Sequence, residues 1–251
     1  MIATAALAAA ALQSASPPIA QDPRLAECLA QARSDPTTAI SNGASWLGET
    51  SGSGSAGPQT CLGVAYTSLL RWQAASDAFL AARDATPETD LAGRARLGAM
   101  AGNALLAVPN PIDALPALRT ARDNARAAGR AELAGETAVD LARAYVALDR
   151  AGEAEAALAE ARTDAPQFAF GWLLSATLAR RTGDLAAAQA YIETAIGLAP
   201  EDLEAGLEAG VIAALGGRVE AARASFNSVV ALAPDSEQAK RARAYLEQMG
   251  D

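Results

Sequence analysis

The residue types that usually carry catalytic chemistry are scarce in this sequence. Its 251 residues include two Cys and no His, and Lys240 is the only Lys, so nearly all of the positive charge is on Arg. Without His, the sequence cannot form a Ser-His-Asp or Cys-His arrangement, and it lacks the usual proton shuttle. Two Cys without His do not supply the four soft ligands of a structural zinc site. The sequence therefore predicts a protein that is not an enzyme and that carries no cofactor and no metal site.

One cluster of Arg residues is a candidate anion site. Arg180 and Arg181 are adjacent in the chain, and the repeat spacing described below places Arg218 near them. Asp184 and Glu220 are close enough in the sequence to neutralise these charges. The sequence alone therefore does not favour an anion site here over ordinary helix surface.

The composition predicts the kind of element that positions these residues. Ala is by far the most frequent residue, only 4% of the chain is aromatic, and 51% is hydrophobic. Ala favours helix because it loses no side-chain freedom there. The scarcity of aromatic residues disfavours β-sandwiches and barrels, and the hydrophobic content argues against general disorder. The net charge of −9 has the wrong sign for binding nucleic acid.

The C-terminal half contains an internal repeat. Segments 182–200 and 216–234 align without a gap, so that Gly183 falls on Gly217 and Pro200 on Pro234. Segment 61–87 has the fullest version of the pattern, with Leu62, Gly63, Tyr66, Ala75, Phe79, Ala82 and Pro87. The aligned residues are 34 positions apart throughout. A fixed period of this length is typical of helical repeat proteins.

These residues resemble the motif of the tetratricopeptide repeat family, whose first helix carries Trp, Leu, Gly and Tyr and whose second carries Ala, an aromatic residue, Ala and a closing Pro. The resemblance implies an all-α fold, a right-handed superhelical solenoid of antiparallel helix pairs. The implied repeats lie at about 56–89, 95–128, 135–168, 169–202 and 203–236. The N-terminal region, residues 21–55, would hold a degenerate helix pair and the start of a Ser/Gly-rich linker that runs from Glu49 to Pro58. A polar cap helix would follow the repeats at 237–251.

The resemblance also implies a function, because first-helix side chains in this family line a concave groove for peptides or partner helices. The aligned positions that we expect to line that groove are Asn103, Leu106, Val139, Arg143, Phe170, Leu173, Thr177 and Arg180. Asn103 and Arg143 stand out, since polar groups among apolar neighbours fix a ligand's orientation. The clamp that binds chaperone C-termini in some members is absent, since Asp140 replaces its second Asn and no Lys is near. We therefore expect a protein-binding scaffold with a protein or peptide partner. A structural module that self-associates is the alternative, and the chain would be a monomer or a weak homo-oligomer.

The two Cys form a candidate disulfide. Cys28 and Cys61 are separated by nearly one repeat and lie on the first helices of what would be neighbouring hairpins. An oxidising compartment such as the periplasm would favour a bridge between them, whereas in the cytosol both would remain thiols.

The first twenty residues predict where the protein is located. Residues 2–12 form an uncharged apolar run that is too short to span a bilayer and is followed by small residues and Pro17-Pro18. This pattern is typical of a secretory signal peptide (1–20), although no basic residue precedes the run. We expect a periplasmic protein without an integral membrane segment in the mature chain. If the run is not a signal, the protein would be cytoplasmic.

Overall fold

The computed structural model describes residues 22–108 and 111–250, so the predicted signal peptide lies outside the described residues. Over this range the chain forms only helices and turns. The α-helices are α1 (Pro23–Ser34), α2 (Pro36–Gly48), α3 (Ala56–Ser68), α4 (Trp72–Ala85), α5 (Leu91–Leu106), α6 (Ala114–Ala127), α7 (Ala131–Ala147), α8 (Ala151–Asp164), α9 (Ala169–Arg181), α10 (Leu185–Leu198), α11 (Leu203–Leu215), α12 (Val219–Leu232) and α13 (Glu237–Gln248). None of these helices is both long and apolar enough to cross a membrane.

Local sequence signals explain where many helices begin. The carboxylates of Asp35, Asp90 and Asp184 each accept a hydrogen bond from a backbone N–H in the first turn of the helix that follows. Such caps satisfy donors that the helix leaves unpaired. Within a hairpin, the tight turn requires a left-handed residue, which is Gly183 (φ 90°) in one repeat and Gly217 (φ 72°) in the next.

The helices pack in sequence as antiparallel pairs: α3 with α4, α5 with α6, α7 with α8, α9 with α10, and α11 with α12. The two helices of a pair cross closely where the first carries Gly. A Cβ on Gly63 would lie 2.4 Å from the ring of Phe79, and one on Gly210 would lie 2.3 Å from the ring of Phe226. Small residues at these crossings therefore let a large side chain of the partner helix pack directly against backbone. The architecture is an all-α solenoid of helix pairs, as the sequence predicted.

The first helix of each pair belongs to an inner layer. Helix α5 contacts α7, α7 contacts α9, α9 contacts α11, and α11 contacts α13. The second helices are farther apart, and long side chains bridge them. Arg126 of α6, for example, reaches Asp164 of α8 at 2.7 Å. The curvature is thus directed toward the first helices.

The buried apolar side chains form several clusters rather than one. The largest extends from Leu105 of α5 to Leu158 of α8 and includes one residue of α9, Leu178. A separate cluster joins α9, α10 and α11 around Ile192 and Ile212. The boundary between these two clusters runs through α9, which contributes buried residues to both.

The N-terminal pair differs from the repeats and corrects one expectation. The predicted linker ends earlier than Pro58, because Gly52–Ser55 form a short 3-10 turn and α3 begins at Ala56. Gly57 is buried in α3, where a Cβ would lie 2.7 Å from the ring of Trp46 on α2. This part of the segment is therefore core, because it packs against α2 instead of spanning a gap.

Helices α1 and α3 lie side by side, and the two Cys face each other across them. The sulfur atoms of Cys28 and Cys61 are at bonding distance, and their α-carbons are 5.9 Å apart, within the usual range for a disulfide. Both residues belong to the cluster that packs α1 and α2 onto α3.

Candidate functional site

The first helices expose one stripe of side chains each, at positions i, i+4, i+7 and i+11. None of these residues is buried, and the stripe recurs at equivalent positions in four successive first helices. We call this surface the inner face. Its members are Arg96, Met100 and Asn103 on α5, with Ala107 directly after it; Glu136, Asp140, Arg143 and Ala147 on α7; Phe170, Leu174, Thr177 and Arg181 on α9; and Glu204, Glu208, Val211 and Leu215 on α11.

A polar cluster joins α5 to α7 on the inner face. The amide of Asn103 donates to Asp140 Oδ2 at 2.6 Å, and Arg143 Nη1 donates to Asp140 Oδ1 at 2.9 Å and to Asn103 Oδ1 at 3.3 Å. Burial of the Asp140 carboxyl raises its pKa, and the hydrogen bonds from Arg143 and Asn103 oppose that rise. The structure thus brings together Asn103 and Arg143, which the sequence singled out, and adds Asp140 between them.

Two further polar contacts join the later first helices. Arg180 Nε donates to Glu208 Oε1 at 2.6 Å and so connects α9 to α11. Glu204 accepts from Gln238 at 2.9 Å and pairs with Arg241 at 3.5 Å, which connects α11 to α13. These side chains fill the grooves between their helices.

The groove between α7 and α9 is different, since no hydrogen bond or ion pair between described residues joins these two helices. It contains a pocket of about 220 Å³ lined by Ala142, Arg143, Val146, Ala147, Leu158, Leu174, Thr177, Leu178 and Arg181. Most of these side chains are apolar, and the two Arg side chains are at the rim. Its apolar lining belongs to the largest buried cluster, which Leu174 and Leu178 of α9 join from the other side of the groove. It is therefore an open apolar depression on a surface that is otherwise closed by polar contacts.

A second depression of about 170 Å³ continues from this pocket. It shares Val146, Leu178 and Arg181 with the pocket and extends to Asp149, Ala151 and Thr182. The two depressions form one groove along the C-terminal ends of α7 and α9, with Arg181 common to both.

The expected groove residues divide into three groups. Asn103, Arg143, Thr177 and Phe170 do lie on the inner face, and Phe170 is 40% exposed. Leu106 is half-buried against the core, and Arg180 is held by Glu208. Val139 and Leu173 are wrong as groove residues, because they are 1% and 6% exposed.

The error at Val139 and Leu173 has a single cause, since the two residues occupy the same repeat position. The next position along the helix, Asp140 in α7 and Leu174 in α9, is the one that faces the groove. Sequence reasoning also set Arg181 aside as neutralised by Asp184. The Asp184 carboxylate instead caps α10 by accepting from Ala187 N at 2.9 Å, and Arg181 pairs with no carboxylate among the described residues. The residue type at one position does not show whether that position is buried. Comparing the same position in all repeats would have shown that it carries charged residues in α7 and α11, Asp140 and Glu208, and is therefore exposed.

These features define a class of protein, an α-helical repeat solenoid with an exposed inner face. Residues 173–237 match the family described as "Tetratricopeptide repeat". Together with the solenoid of helix pairs, this match shows that residues 173–237 of the chain are similar to tetratricopeptide repeats.

Several solved structures share the fold. PilW, described as a widely conserved type IV pilus biogenesis factor, is 18% identical, with a TM-score of 0.69 over 87% of this chain and 96% of PilW. Acl4, an assembly chaperone of RpL4, is 17% identical, with a TM-score of 0.67 over 89% of this chain and 97% of that one. BtubC from P. vanneervenii is 16% identical, with a TM-score of 0.63 over 89% and 92%. No curated protein sequence gives a significant match. At these identities the likeness concerns the fold alone.

Proposed function

We propose that this chain is a non-catalytic scaffold that binds a segment of a partner protein on its inner face. The observation that carries the proposal is the apolar pocket between α7 and α9. Arg143 is held at the rim of this pocket by Asp140 and Asn103, so its guanidinium is already oriented before a ligand arrives. Pre-ordered polar groups beside an apolar depression are typical of binding sites.

The experiment that tests this proposal places a photo-crosslinking amino acid at Ala147, which is exposed at the pocket. The matched control carries it at Ala190, an exposed alanine of α10 in the outer layer. We expect a partner adduct from position 147 in the native host and little from position 190. Replacing both Asn103 and Arg143 by Ala should reduce the adduct, because the rim is then no longer oriented. Equal adducts at both positions would contradict binding on the inner face.

We further propose that the scaffold works in the bacterial cell envelope. Support comes from the apolar run at residues 2–12, which is typical of a secretory signal, and from the bonding distance between Cys28 and Cys61. The mature N-terminus is then expected between Gln13 and Gln21. The intact mass of the protein purified from its native host measures this directly, and a full-length species in the cytoplasmic fraction would contradict export.

A further inference from the structure

We infer that the partner segment is internal to its chain, that one large apolar side chain fills the pocket between α7 and α9, and that a neighbouring Asp or Glu side chain pairs with Arg181. This inference rests on the proposed function and adds the chemistry of the ligand. It follows from three properties of the groove: what the pocket offers, where positive charge is left unpaired, and where the groove continues.

The pocket itself offers contacts only to an apolar side chain. Leu174 and Val146 form its walls, and the mostly buried Leu158 and Leu178 lie beneath them. The one neutral polar group in the lining is the Thr177 hydroxyl, which donates to the Leu173 carbonyl at 3.1 Å. A polar ligand group would therefore lose its water without gaining a donor, whereas a Leu- or Phe-sized group would gain apolar burial.

Of the two guanidinium groups at the rim, only one is compensated. Arg143 pairs with Asp140, as described above. Arg181 is exposed and has no carboxylate partner among the described residues. Its unpaired charge at the edge of an apolar pocket is complementary to one carboxylate adjacent to the inserted side chain.

The rest of α7 restricts where that carboxylate lies. Glu132, Glu136 and Asp140 occupy successive turns toward the N-terminal end of the helix. Burial and the like charges of Glu132 and Asp140 raise the pKa of Glu136, so the face already carries mutually repelling negative charge. A second acid on the ligand would be repelled at this end. The segment is consequently not uniformly acidic, and its carboxylate belongs at the Arg181 end.

The course of the groove beyond Arg181 indicates whether the ligand's carboxylate belongs to a side chain or to its C-terminus. Arg181 lies between the pocket and the second depression, which leads on past Asp149 to Thr182. A bound segment therefore has room to continue beyond Arg181, and a terminal carboxylate would leave the second depression unfilled. This geometry favours the side chain of an internal Asp or Glu.

The test uses an array of acetylated peptides of about twelve residues, each made once with an amidated and once with a free C-terminus. In extended form this length covers both depressions. Each peptide carries one Leu, Phe or Ala together with one Asp, Asn or Lys at spacings of one to four residues. Binding of the labelled full chain is measured on the array, and the best pairs are measured again in solution. We expect Leu or Phe with Asp to bind best. Asn in place of Asp should weaken binding roughly fivefold, the size of an exposed ion pair, and Ala in place of Leu roughly tenfold or more.

Two pairs of protein variants locate the contacts. Arg181→Glu should reverse the preference from Asp to Lys, whereas Arg33→Glu, an equal charge change on α1, should leave it unchanged. Thr177→Phe should fill the pocket and abolish binding of the Leu peptides, whereas Val211→Phe, at the equivalent position of α11, should not. Circular dichroism confirms that each variant keeps its helical content.

The outcomes separate this inference from the proposed function. Indifference to Asp against Asn, a preference that Arg181→Glu does not change, or binding only to peptides with a free C-terminus would each overturn the inference. The same holds if no array peptide binds while the partner still crosslinks at position 147, and in all four cases the scaffold function stands. Loss of position-specific crosslinking would instead overturn the scaffold function.

Discussion

A single methyl group at Gly210 tests the packing on which the whole solenoid depends. Gly210 lies in α11 where this helix crosses α12, and a Cβ there would meet Phe226 at 2.3 Å, 2.5 Å and 2.7 Å from three ring carbons. Ordinary contacts begin at about 3.4 Å, so the ring would have to retreat by about 1 Å. Phe226 is 1% exposed and stacks on Tyr245 of α13, with 5.1 Å between ring centroids. Its retreat therefore has to displace the cap helix.

The expected magnitude follows from two opposing contributions. Overpacking a filled core costs about 1–3 kcal/mol, whereas Ala in place of a helical Gly stabilises by about 0.5–1 kcal/mol. We expect Gly210→Ala to lower the free energy of unfolding by about 1–2 kcal/mol. Gly197 is the matched control, because it lies in α10 and a Cβ there meets nothing within 4 Å. In Gly197→Ala the added methyl group meets no neighbour, so only the higher helix propensity of Ala acts. The free energy of unfolding should therefore rise by about 0.5–1 kcal/mol.

Urea denaturation gives both values from the midpoints, provided that the slopes agree. Hydrogen exchange should be faster across residues 203–248 in Gly210→Ala and unchanged in Gly197→Ala. Phe226→Leu should lower the free energy of unfolding less in the Gly210→Ala variant than in the native chain, because the shorter side chain no longer collides with the added methyl group. If Gly210→Ala stabilises the protein as much as Gly197→Ala does, the close crossing of α11 and α12 is wrong, and with it the repeat register that defines the inner face.

Three further predictions concern a turn, a carboxyl group and the Cys pair. Leu70 has a φ of 56° and is 67% exposed, so Leu70→Gly should raise the free energy of unfolding by about 0.5–1 kcal/mol by urea denaturation, and a loss of stability would contradict the strain. Because burial raises the folded-state pKa of Asp140, the native chain should gain stability relative to Asp140→Asn as pH falls from 7 toward about 3.9, measured by urea denaturation across that range. The opposite slope would show that the ionised carboxyl is favoured by folding. Envelope-fractionated protein should contain no reactive thiol when denatured without reductant, and Cys28→Ser should cost roughly 3–4 kcal/mol for a loop of this length; two free thiols would refute the bridge.

The repeat architecture was predictable because its requirements are local. Each crossing needs a small residue opposite a large one, and such pairs, for example Gly63 with Phe79, recur at a fixed spacing that a sequence displays directly. Helix starts are equally local, since Asp184 and Asp202 both precede a helix and accept hydrogen bonds from its first turn.

The candidate site was less predictable because it depends on helix rotation. Neighbouring residues on a helix differ by about 100° in direction, so Val139 and Asp140 have opposite fates, one in the core and one on the inner face. The contacts of Arg180 and Arg181 also depend on distant residues, since Arg180 pairs with Glu208 on another helix and Arg181 pairs with no carboxylate among the described residues. Which side chains pair in this way is determined by the packing between repeats. The spacing of residues within one repeat does not predict it.

The division of the core at α9 has a thermodynamic consequence for the bound protein. The pocket is lined by Ala142 and Val146 of α7 and by Leu174 of α9, and α9 also contributes buried residues to the second cluster. In a solenoid, units joined by a weak interface can unfold at different denaturant concentrations. A ligand in this groove contacts both units and is lost when either one opens, so it stabilises their junction by mass action. Bound ligand would therefore bring the denaturation midpoints of the two units closer together. The partner would supply apolar contacts across the junction that the protein alone does not make.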